Sequence, residues 1–259
     1  MRIKISHWIA FLSFGLITAA QADITVEPAG MKVVWKSLDK EFDGFKTYNS
    51  SEGVGLTLVA KSTEKQFIGF NKKTSKLTFM DGETDLGGKF GFFDKISKDG
   101  RVMKVELNSK KLPAKGVASI GVKGTLDVIV ASKSETKTLG PREFKKDDKL
   151  ELGEDFKFTV KSIGKPKWGD NALEVTFEWK RTTPGKVEEL KEVRFYGEDG
   201  KLIESSRGGT SWGGFGTNYS TSISYNLKKE AKILKVEMDI WTDAERVTVP
   251  LNLALKIGG

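Results

Sequence analysis

The chain has 259 residues, with 43 lysines and arginines against 35 aspartates and glutamates, no cysteine and a single histidine, His7. Because His7 lies in a predicted export signal, the mature chain is expected to contain neither histidine nor cysteine. This composition excludes histidine-assisted serine or cysteine catalysis, disulfide bonds, and metal ligation by histidine or cysteine.

The first 22 residues have the layout of a secretory signal peptide. Arg2 and Lys4 give a basic start, and an apolar run follows them. Ala20 and Ala22 then supply the small residues that signal peptidases require. The apolar run is too short to cross about 30 Å of hydrocarbon. We therefore predict a signal peptide at 1–22, no membrane-spanning segment after its removal, and export to the periplasm, the cell surface or the extracellular space.

Basic and acidic residues are interspersed along the mature chain. A nucleic-acid-binding protein normally concentrates its basic residues on one face. The tract from Lys145 to Lys149 instead mixes both signs, as a solvated surface does. We predict no nucleic-acid partner, and the sequence gives no reason to assign a cofactor.

Alternation of apolar and polar residues with a period of two dominates the mature chain. One apolar row consists of Leu234, Val236, Met238 and Ile240. The C-terminal run from Val247 to Leu255 repeats the pattern, and Trp179 shares the parity of Phe177, which places it in a core. Turn dipeptides separate the runs, at Asp81-Gly82, Asp99-Gly100, Pro184-Gly185 and Asp199-Gly200. No window has a sustained helical stripe, so we predict an all-β chain.

The pattern of strands also occurs twice. The matched segments are Leu56–Leu58 with Leu173–Val175, Leu77–Met80 with Val193–Tyr196, Met103–Leu107 with Leu234–Met238, and Leu126–Val128 with Leu251–Leu253. Apolar positions agree, while residue identity is low. We interpret the pattern as a structural repeat, with chance similarity between hairpins as the alternative.

Several short strands at regular spacing, present twice, favour two antiparallel β-sandwich domains in tandem. A polar stretch with Gly140-Pro141 separates the two blocks. We predict domain 1 at 23–136, a linker at 137–149 and domain 2 at 150–259. In layout the chain resembles secreted bacterial proteins assembled from immunoglobulin-like modules. The Cys–Trp–Cys pattern of true immunoglobulin domains is absent, so the resemblance implies the architecture alone.

A segment rich in glycine and aromatic residues distinguishes the second copy. It runs from Arg207 to Ser220 and is longer than its counterpart at Gly87–Phe93. Flat aromatic faces suit sugar rings or peptide side chains, and loops on a rigid sandwich commonly carry binding sites. The candidate ligand-binding residues are Arg207, Trp212, Phe215, Asn218 and Tyr219. The alternative is that these aromatic residues fold back and cap the sandwich.

Asp81, Glu83 and Asp85 resemble the start of a calcium loop. The sixth position of that loop requires glycine for its sharp turn, and Leu86 occupies it here. An acidic hairpin turn is therefore favoured, and no metal site is assigned.

Paired carboxylates can support glycoside hydrolysis without histidine. The acidic residues in alternating runs are Glu174, Glu178, Glu237 and Asp239. Each has the parity opposite to the apolar row, so the burial that raises a pKa for acid catalysis is not indicated. We assign no catalytic residue.

The favoured function is that of an exported, non-catalytic protein that binds a carbohydrate or protein, or takes part in assembling an envelope or extracellular structure. The first alternative is a polysaccharide-active enzyme that uses a carboxylate pair. The second is a structural protein that binds its own kind through exposed edge strands. The sequence leaves the oligomeric state open.

Overall fold

A computed structural model describes residues 23–35, 41–42, 45–46, 52–91, 95–152, 157–181, 190–215 and 218–257. At 41–42, 45–46, 180–181, 212, 214–215 and 218–219 it describes the backbone alone. The predicted signal peptide at 1–22 lies outside the described residues. Every regular element in the described ranges is a strand, which confirms the predicted all-β class. Within these ranges no helix has the length and apolar character needed to span a bilayer.

The chain divides into two compact units. Unit 1 comprises the described residues up to Val128 and from Arg246 onward, and unit 2 comprises Ile129–Glu245. The division differs from the predicted domains, because the C-terminal segment belongs to unit 1 rather than to the second domain. The predicted linker at 137–149 also differs, since a strand of unit 2, Ser134–Glu143, occupies most of it.

The strands follow one another through unit 1 and then unit 2. Those of the first part are β1 (Ile24–Val34), β2 (Glu41–Phe42), β3 (Phe45–Lys46), β4 (Gly53–Ser62), β5 (Gln66–Phe70), β6 (Lys76–Asp81), β7 (Thr84–Gly87), β8 (Lys89–Phe90), β9 (Lys95–Ile96), β10 (Val102–Ser109) and β11 (Ser119–Ala131). Those of the second part are β12 (Ser134–Glu143), β13 (Lys149–Glu151), β14 (Lys157–Gly164), β15 (Leu173–Arg181), β16 (Leu190–Tyr196), β17 (Leu202–Ile203), β18 (Ser205–Phe215), β19 (Asn218–Leu227) and β20 (Ile233–Trp241). The last strand, β21 (Glu245–Lys256), returns to unit 1.

Unit 1 contains two five-stranded sheets. One has the order β1-β4-β10-β8, with β9 also pairing β10. The other has the order β21-β11-β6-β7, with β5 also pairing β11. In β4, Leu56, Leu58 and Ala60 are almost fully buried, while Thr57 and Val59 between them are partly exposed. Alternation in the sequence thus separates a buried and an exposed face, as predicted.

Unit 2 contains a four-stranded sheet of order β12-β20-β16-β17 and a five-stranded sheet of order β13-β14-β15-β19-β18. The two sheets share one hydrophobic core. Phe177 of β15 and Phe195 of β16 lie nearly parallel, with ring centroids 6.3 Å apart. Tyr225 of β19 packs against both rings, at 6.2 and 5.5 Å. Trp179 is 4% exposed, which confirms its predicted place in a core.

The closing strands of the two units are exchanged. β12 follows β11 across only residues 132–133, yet it pairs with β20. β21 follows β20 across only residues 242–244, yet it pairs with β11. Thr248 donates a 2.7 Å hydrogen bond to Asp127, and the amide of Ile257 donates to the carbonyl of Ala118 at 2.9 Å, so β21 runs antiparallel to β11. A short connection normally closes a hairpin between consecutive strands, and here neither connection does so.

The sheet positions also test one of the matched segments. Met103–Leu107 lies in β10, beside β4, whereas Leu234–Met238 lies in β20, beside β16. Since Leu56–Leu58 of β4 was matched with β15, the counterpart of β10 by sheet position is β19 rather than β20. An apolar alternation is common to most strands here, so it does not by itself identify equivalent ones.

Candidate functional site

A polar groove of about 640 Å³ lies on the outer face of the five-stranded sheet of unit 2. Two rows of cross-strand neighbours form its floor, namely Thr159, Glu178, Ser222 and Ser211 in the first row and Ser162, Thr176, Ser224 and Gly209 in the second. Most of these residues are serine, threonine or glycine, whose side chains are short. The longer side chains of Lys146 and Lys161 also line the groove. Short residues beside long ones leave the floor recessed.

Lys161 reaches into the first row from a bulge in β14, where the register shifts between Val160 and Ser162. Its ammonium group donates to Glu178 Oε1 at 2.9 Å and to Ser222 Oγ at 2.9 Å. Ser222 Oγ donates in turn to Glu178 Oε1 at 3.2 Å. These three side chains therefore form one hydrogen-bonded group, which brings an ammonium, a carboxylate and a hydroxyl together at the first row.

The second row brings two hydroxyl groups together. Thr176 Oγ1 and Ser224 Oγ lie 2.8 Å apart and share a hydrogen bond. Thr176 and Ser222 are only 6% and 5% exposed, although they lie on the outer face of the sheet. Each hydroxyl has one proton to donate and two lone pairs, so the pair retains unused bonding capacity toward the groove.

Asn226 extends the polar face beyond the second row. It lies two residues from Ser224 on the same strand and is the cross-strand partner of Glu174 and Ser206. Its side-chain oxygen is buried and accepts no hydrogen bond from the described residues. Buried polar atoms of native proteins are generally satisfied, so this oxygen calls for a donor from outside the described residues.

The segment predicted as a loop is a β-hairpin, because its serines and threonines pair in register with β15 through β19. Trp212 and Phe215 lie in β18, Asn218 and Tyr219 lie in β19, and the side chains of all four are outside the described residues. Arg207 is exposed, and its guanidinium group donates to Thr210 Oγ1 at 3.2 and 2.8 Å. The binding role of these five residues stays a prediction.

Two glycines of β18 leave bare backbone beside the groove. A Cβ atom placed on Gly209 or Gly213 would meet nothing within 4 Å, and neither residue has a positive φ. Neither a turn nor close packing therefore requires glycine at these positions. Glycine inside a strand weakens it, and commonly marks a place where a ligand or another backbone approaches.

The outer face of the four-stranded sheet of unit 2 has a different chemistry. Arg194 donates to both carboxylate oxygens of Asp239, at 2.7 and 2.8 Å, and lies 3.5 Å from Glu237. Lys235 and Tyr196 also donate to Glu237, at 2.8 and 2.9 Å. Asp239 and Glu237 therefore both accept hydrogen bonds from long side chains of the same face.

These hydrogen bonds favour the ionised form of the two acids. The bond from Arg194 holds the pKa of Asp239 below its ordinary value. Hydrogen bonds from Lys235 and Tyr196 likewise lower the pKa of Glu237. A general acid needs a raised pKa, so this neighbouring pair does not have the property that acid catalysis requires.

In the acidic turn of the β6–β7 hairpin, two of the carboxylates already accept hydrogen bonds from the chain. Asp85 accepts hydrogen bonds from Thr78 Oγ1 and from the amide of Gly87, which lower its pKa. Asp81 accepts a bond from the amide of Ala114 at 2.7 Å. Within the described residues, no group of three or more acidic or histidine side chains is placed to hold a metal ion.

A second groove, of about 780 Å³, lies in unit 1. The lysines that line it are Lys72, Lys76, Lys89 and Lys123. Asp85 is the acidic residue among its lining residues, and it is already bonded to Thr78 and Gly87. This groove therefore carries excess positive charge, whereas the groove of unit 2 offers hydroxyl groups and an internal ion pair.

Comparison of the chain with protein-family models, curated proteins and solved structures finds no match.

Proposed function

We propose that the chain is an exported, non-catalytic binding protein made of two immunoglobulin-like β-sandwich modules, and that the groove of unit 2 binds carbohydrate. Export rests on the layout of residues 1–22. The sandwich interpretation is supported by the paired sheets and the shared core of unit 2.

The observation that carries the proposal is the pair of hydroxyl rows on the groove floor. Sugars present many hydroxyl groups, each able to donate and accept, and they are matched by side chains with the same double capacity. Thr176, Ser222 and Ser224 supply such groups from a partly buried floor, and Glu178 with Lys161 adds an acceptor and a donor of opposite charge. The orphaned oxygen of Asn226 is a further acceptor beside them.

The hairpin β18–β19 supports the same interpretation from the side of the groove. Gly209 lies on the floor, Ser211 of the same strand ends the first row, and a Cβ atom on Gly209 would meet nothing within 4 Å, so β18 leaves space for a bound sugar ring. Binding needs no catalytic carboxylate pair, in keeping with the lowered pKa values of Glu237 and Asp239.

The proposal is tested by binding of the purified chain to a panel of neutral and anionic oligosaccharides, followed by tryptophan fluorescence and calorimetry. Thr176→Val removes one floor hydroxyl at nearly constant volume, and Gly209→Val fills the floor. We expect Thr176→Val to weaken binding about threefold to tenfold, the equivalent of one lost hydrogen bond. Gly209→Val should abolish binding while the melting temperature stays close to that of the wild type.

Thr138→Val is the matched control, since Thr138 is an exposed threonine of β12 outside the groove. Binding that survives Gly209→Val unchanged would refute the groove as the site. An anionic saccharide that loses affinity on Lys123→Ala, and not on Thr176→Val, would move the site to the lysine groove of unit 1. Absence of binding to every saccharide in the panel would count against carbohydrate as the ligand class.

A further inference from the structure

The edges of the four larger sheets, as far as the structure describes them, are protected in two ways, with one exception. An exposed strand edge presents unpaired amide and carbonyl groups, which natural proteins blunt by proline, by charge or by shortness. The long edge strands β1, β12 and β21 contain Pro28, Pro141 and Pro250, respectively. The opposite edges of the four larger sheets are short, since β7, β8, β13 and β17 have between two and four residues.

The exception is β18, which is 11 residues long. It forms the edge of its sheet next to β19 and contains no proline, lysine, aspartate or glutamate. Its residues from Ser206 to Ser211 are exposed. From Gly209 to Phe215 it pairs with β19 without a register shift, so this stretch offers a regular outer edge. Among the described edges of the larger sheets, β18 alone has a stretch as long as Gly209 to Phe215 without a proline, a charged residue or a register shift.

The sequence of β18 is symmetric about Ser211 in its glycines. Gly209 and Gly213 lie two residues on either side of Ser211, and Gly208 and Gly214 lie three residues away. If two copies of β18 pair antiparallel about Ser211, Gly209 of each copy faces Gly213 of the other, whereas Gly208 lies in the register shift outside the regular stretch. A two-fold axis through one residue requires a strand that is complementary to itself, and this symmetry meets that requirement.

The charges of β18 are compatible with the same pairing. Arg207 is the only charged residue of the strand. Arg207 lies four positions before Ser211, so in a register centred on Ser211 the two arginines lie on opposite sides of the axis, about eight positions apart along the strand. At the rise of a β-strand this is roughly 27 Å, well beyond the Debye length at physiological salt. No like charges oppose each other across the contact.

We propose that β18 is a self-association surface, through which two copies of the chain pair antiparallel about Ser211. The occupant is a second copy rather than an unrelated peptide, because a strand whose residues are symmetric about one position can pair with itself in register. The two five-stranded sheets then join into one sheet across the two-fold axis.

The pairing has a consequence for the groove. Ser211 ends the first floor row, so the row continues through the axis into the same row of the second copy. Eight strands, from β14 of one copy to β14 of the other, then carry an uninterrupted polar row about 34 Å long. This consequence rests on the proposed binding function, whereas the self-association does not.

Sedimentation of the purified chain without any saccharide tests the pairing, and it is independent of whether a carbohydrate binds. We expect a concentration-dependent equilibrium between monomer and dimer, because a contact between two edge strands is small for a protein interface. Ser211→Lys and Ser211→Glu each place two like charges opposite each other at the axis, and should weaken the dimer by about tenfold or more.

An equimolar mixture of the Ser211→Lys and Ser211→Glu chains should restore the dimer, since opposite charges then meet at the axis. A purely structural defect would not be rescued by mixing. Thr138→Lys on the proline-containing edge β12 is the control and should leave the dimer unchanged. A wild-type chain that stays monomeric at its highest soluble concentration would overturn the proposal. So would a dimer that persists in both Ser211 variants, or one that Thr138→Lys disrupts equally.

Discussion

The two outer faces of unit 2 are built on one core by the same alternation, yet they differ in chemistry. On β16 and β20, Arg194, Glu237 and Asp239 are long, charged and bonded to one another. On β15 and β19, Thr176, Ser222 and Ser224 are short and leave a recessed floor. When the donors and acceptors of a charged cluster bond to one another, few of them remain available to bind a ligand. Short hydroxyl groups in a depression retain both bonding capacity and space.

The comparison shows that side-chain length, as much as polarity, decides what an exposed face of a sheet can do. Arg194 is 23% exposed and Asp239 only 14%, so the charged cluster is partly withdrawn from water by its own members. In the groove the short side chains instead leave a depression of about 640 Å³. Substitutions in the shared core should therefore lower the free energy of unfolding most, followed by substitutions in the charged cluster and then by those in the groove.

The largest loss of stability is expected from a substitution in the hydrophobic core that lies beneath both faces. Phe177 is 1% exposed and packs against Phe195 and Tyr225. Phe177→Ala should lower the free energy of unfolding by about 3–5 kcal/mol, because it removes a large buried side chain and leaves a cavity. Urea unfolding followed by fluorescence measures the change. Phe177→Leu is the control and should cost clearly less; an equal cost would mean that the ring itself contributes little to this core.

The next largest effect should separate the two faces. Arg194→Met leaves two partly buried carboxylates without their shared donor and should cost about 2 kcal/mol. Lys161→Met is the matched change in the groove, where the lysine side chain is 50% exposed, and should cost about 1 kcal/mol or less. Equilibrium unfolding of both variants checks the order. If Lys161→Met proves the more costly of the two, the groove is a structural cluster like the other face.

Lowering the pH should reduce the stability of the chain by protonating Asp239 and Glu237 of the charged face. The pKa of Asp239 and of Glu237 is lower in the folded chain than the ordinary values of about 3.9 and 4.3. Their contribution to stability is therefore present above those ordinary values and is lost as the pH falls through the lower, folded values. Unfolding measured from pH 7 down to about pH 2.5 should show a smaller acid-induced loss in Arg194→Met than in the wild type. Parallel curves for the two proteins would contradict the assignment.

The sequence predicts the buried side of these strands well and the exposed side poorly. Leu234, Val236, Met238 and Ile240 are all buried, as their common parity requires. The same parity rule treats Thr176 and Glu237 alike, as solvent-facing residues. Their difference depends on neighbours from other strands, such as Ser224 for Thr176 and Arg194 for Glu237. Those neighbours are set by sheet pairing over tens of residues, which no local pattern records.

The pairing of β21 with β11, and of β12 with β20, could not be predicted from local sequence patterns for a similar reason. A strand of alternating apolar residues, such as β21 with Val249 and Leu251, can pair with the exposed edge of any sheet whose buried face matches its apolar face. Its short connection to β20 favours a hairpin within unit 2. Pairing with β11 instead is decided by register and by specific contacts such as Thr248 with Asp127, residues that are 121 positions apart.

The smallest expected effect on stability is also the sharpest probe of the groove. Gly209→Ala and Gly213→Ala add methyl groups that meet nothing within 4 Å, at positions without a positive φ. Alanine restricts the unfolded chain more than glycine does, so each change should leave stability unaltered or raise it by up to about 1 kcal/mol. Thermal unfolding measures this, and Gly124→Ala is the contrasting control, because its Cβ would lie 1.8 Å from the Lys76 carbonyl oxygen at a φ of 134°. If Gly209→Ala destabilises unit 2 as Gly124→Ala destabilises unit 1, the glycines of β18 serve the fold. If it does not, their persistence in a strand that alanine would strengthen has to be explained by what approaches that backbone from outside.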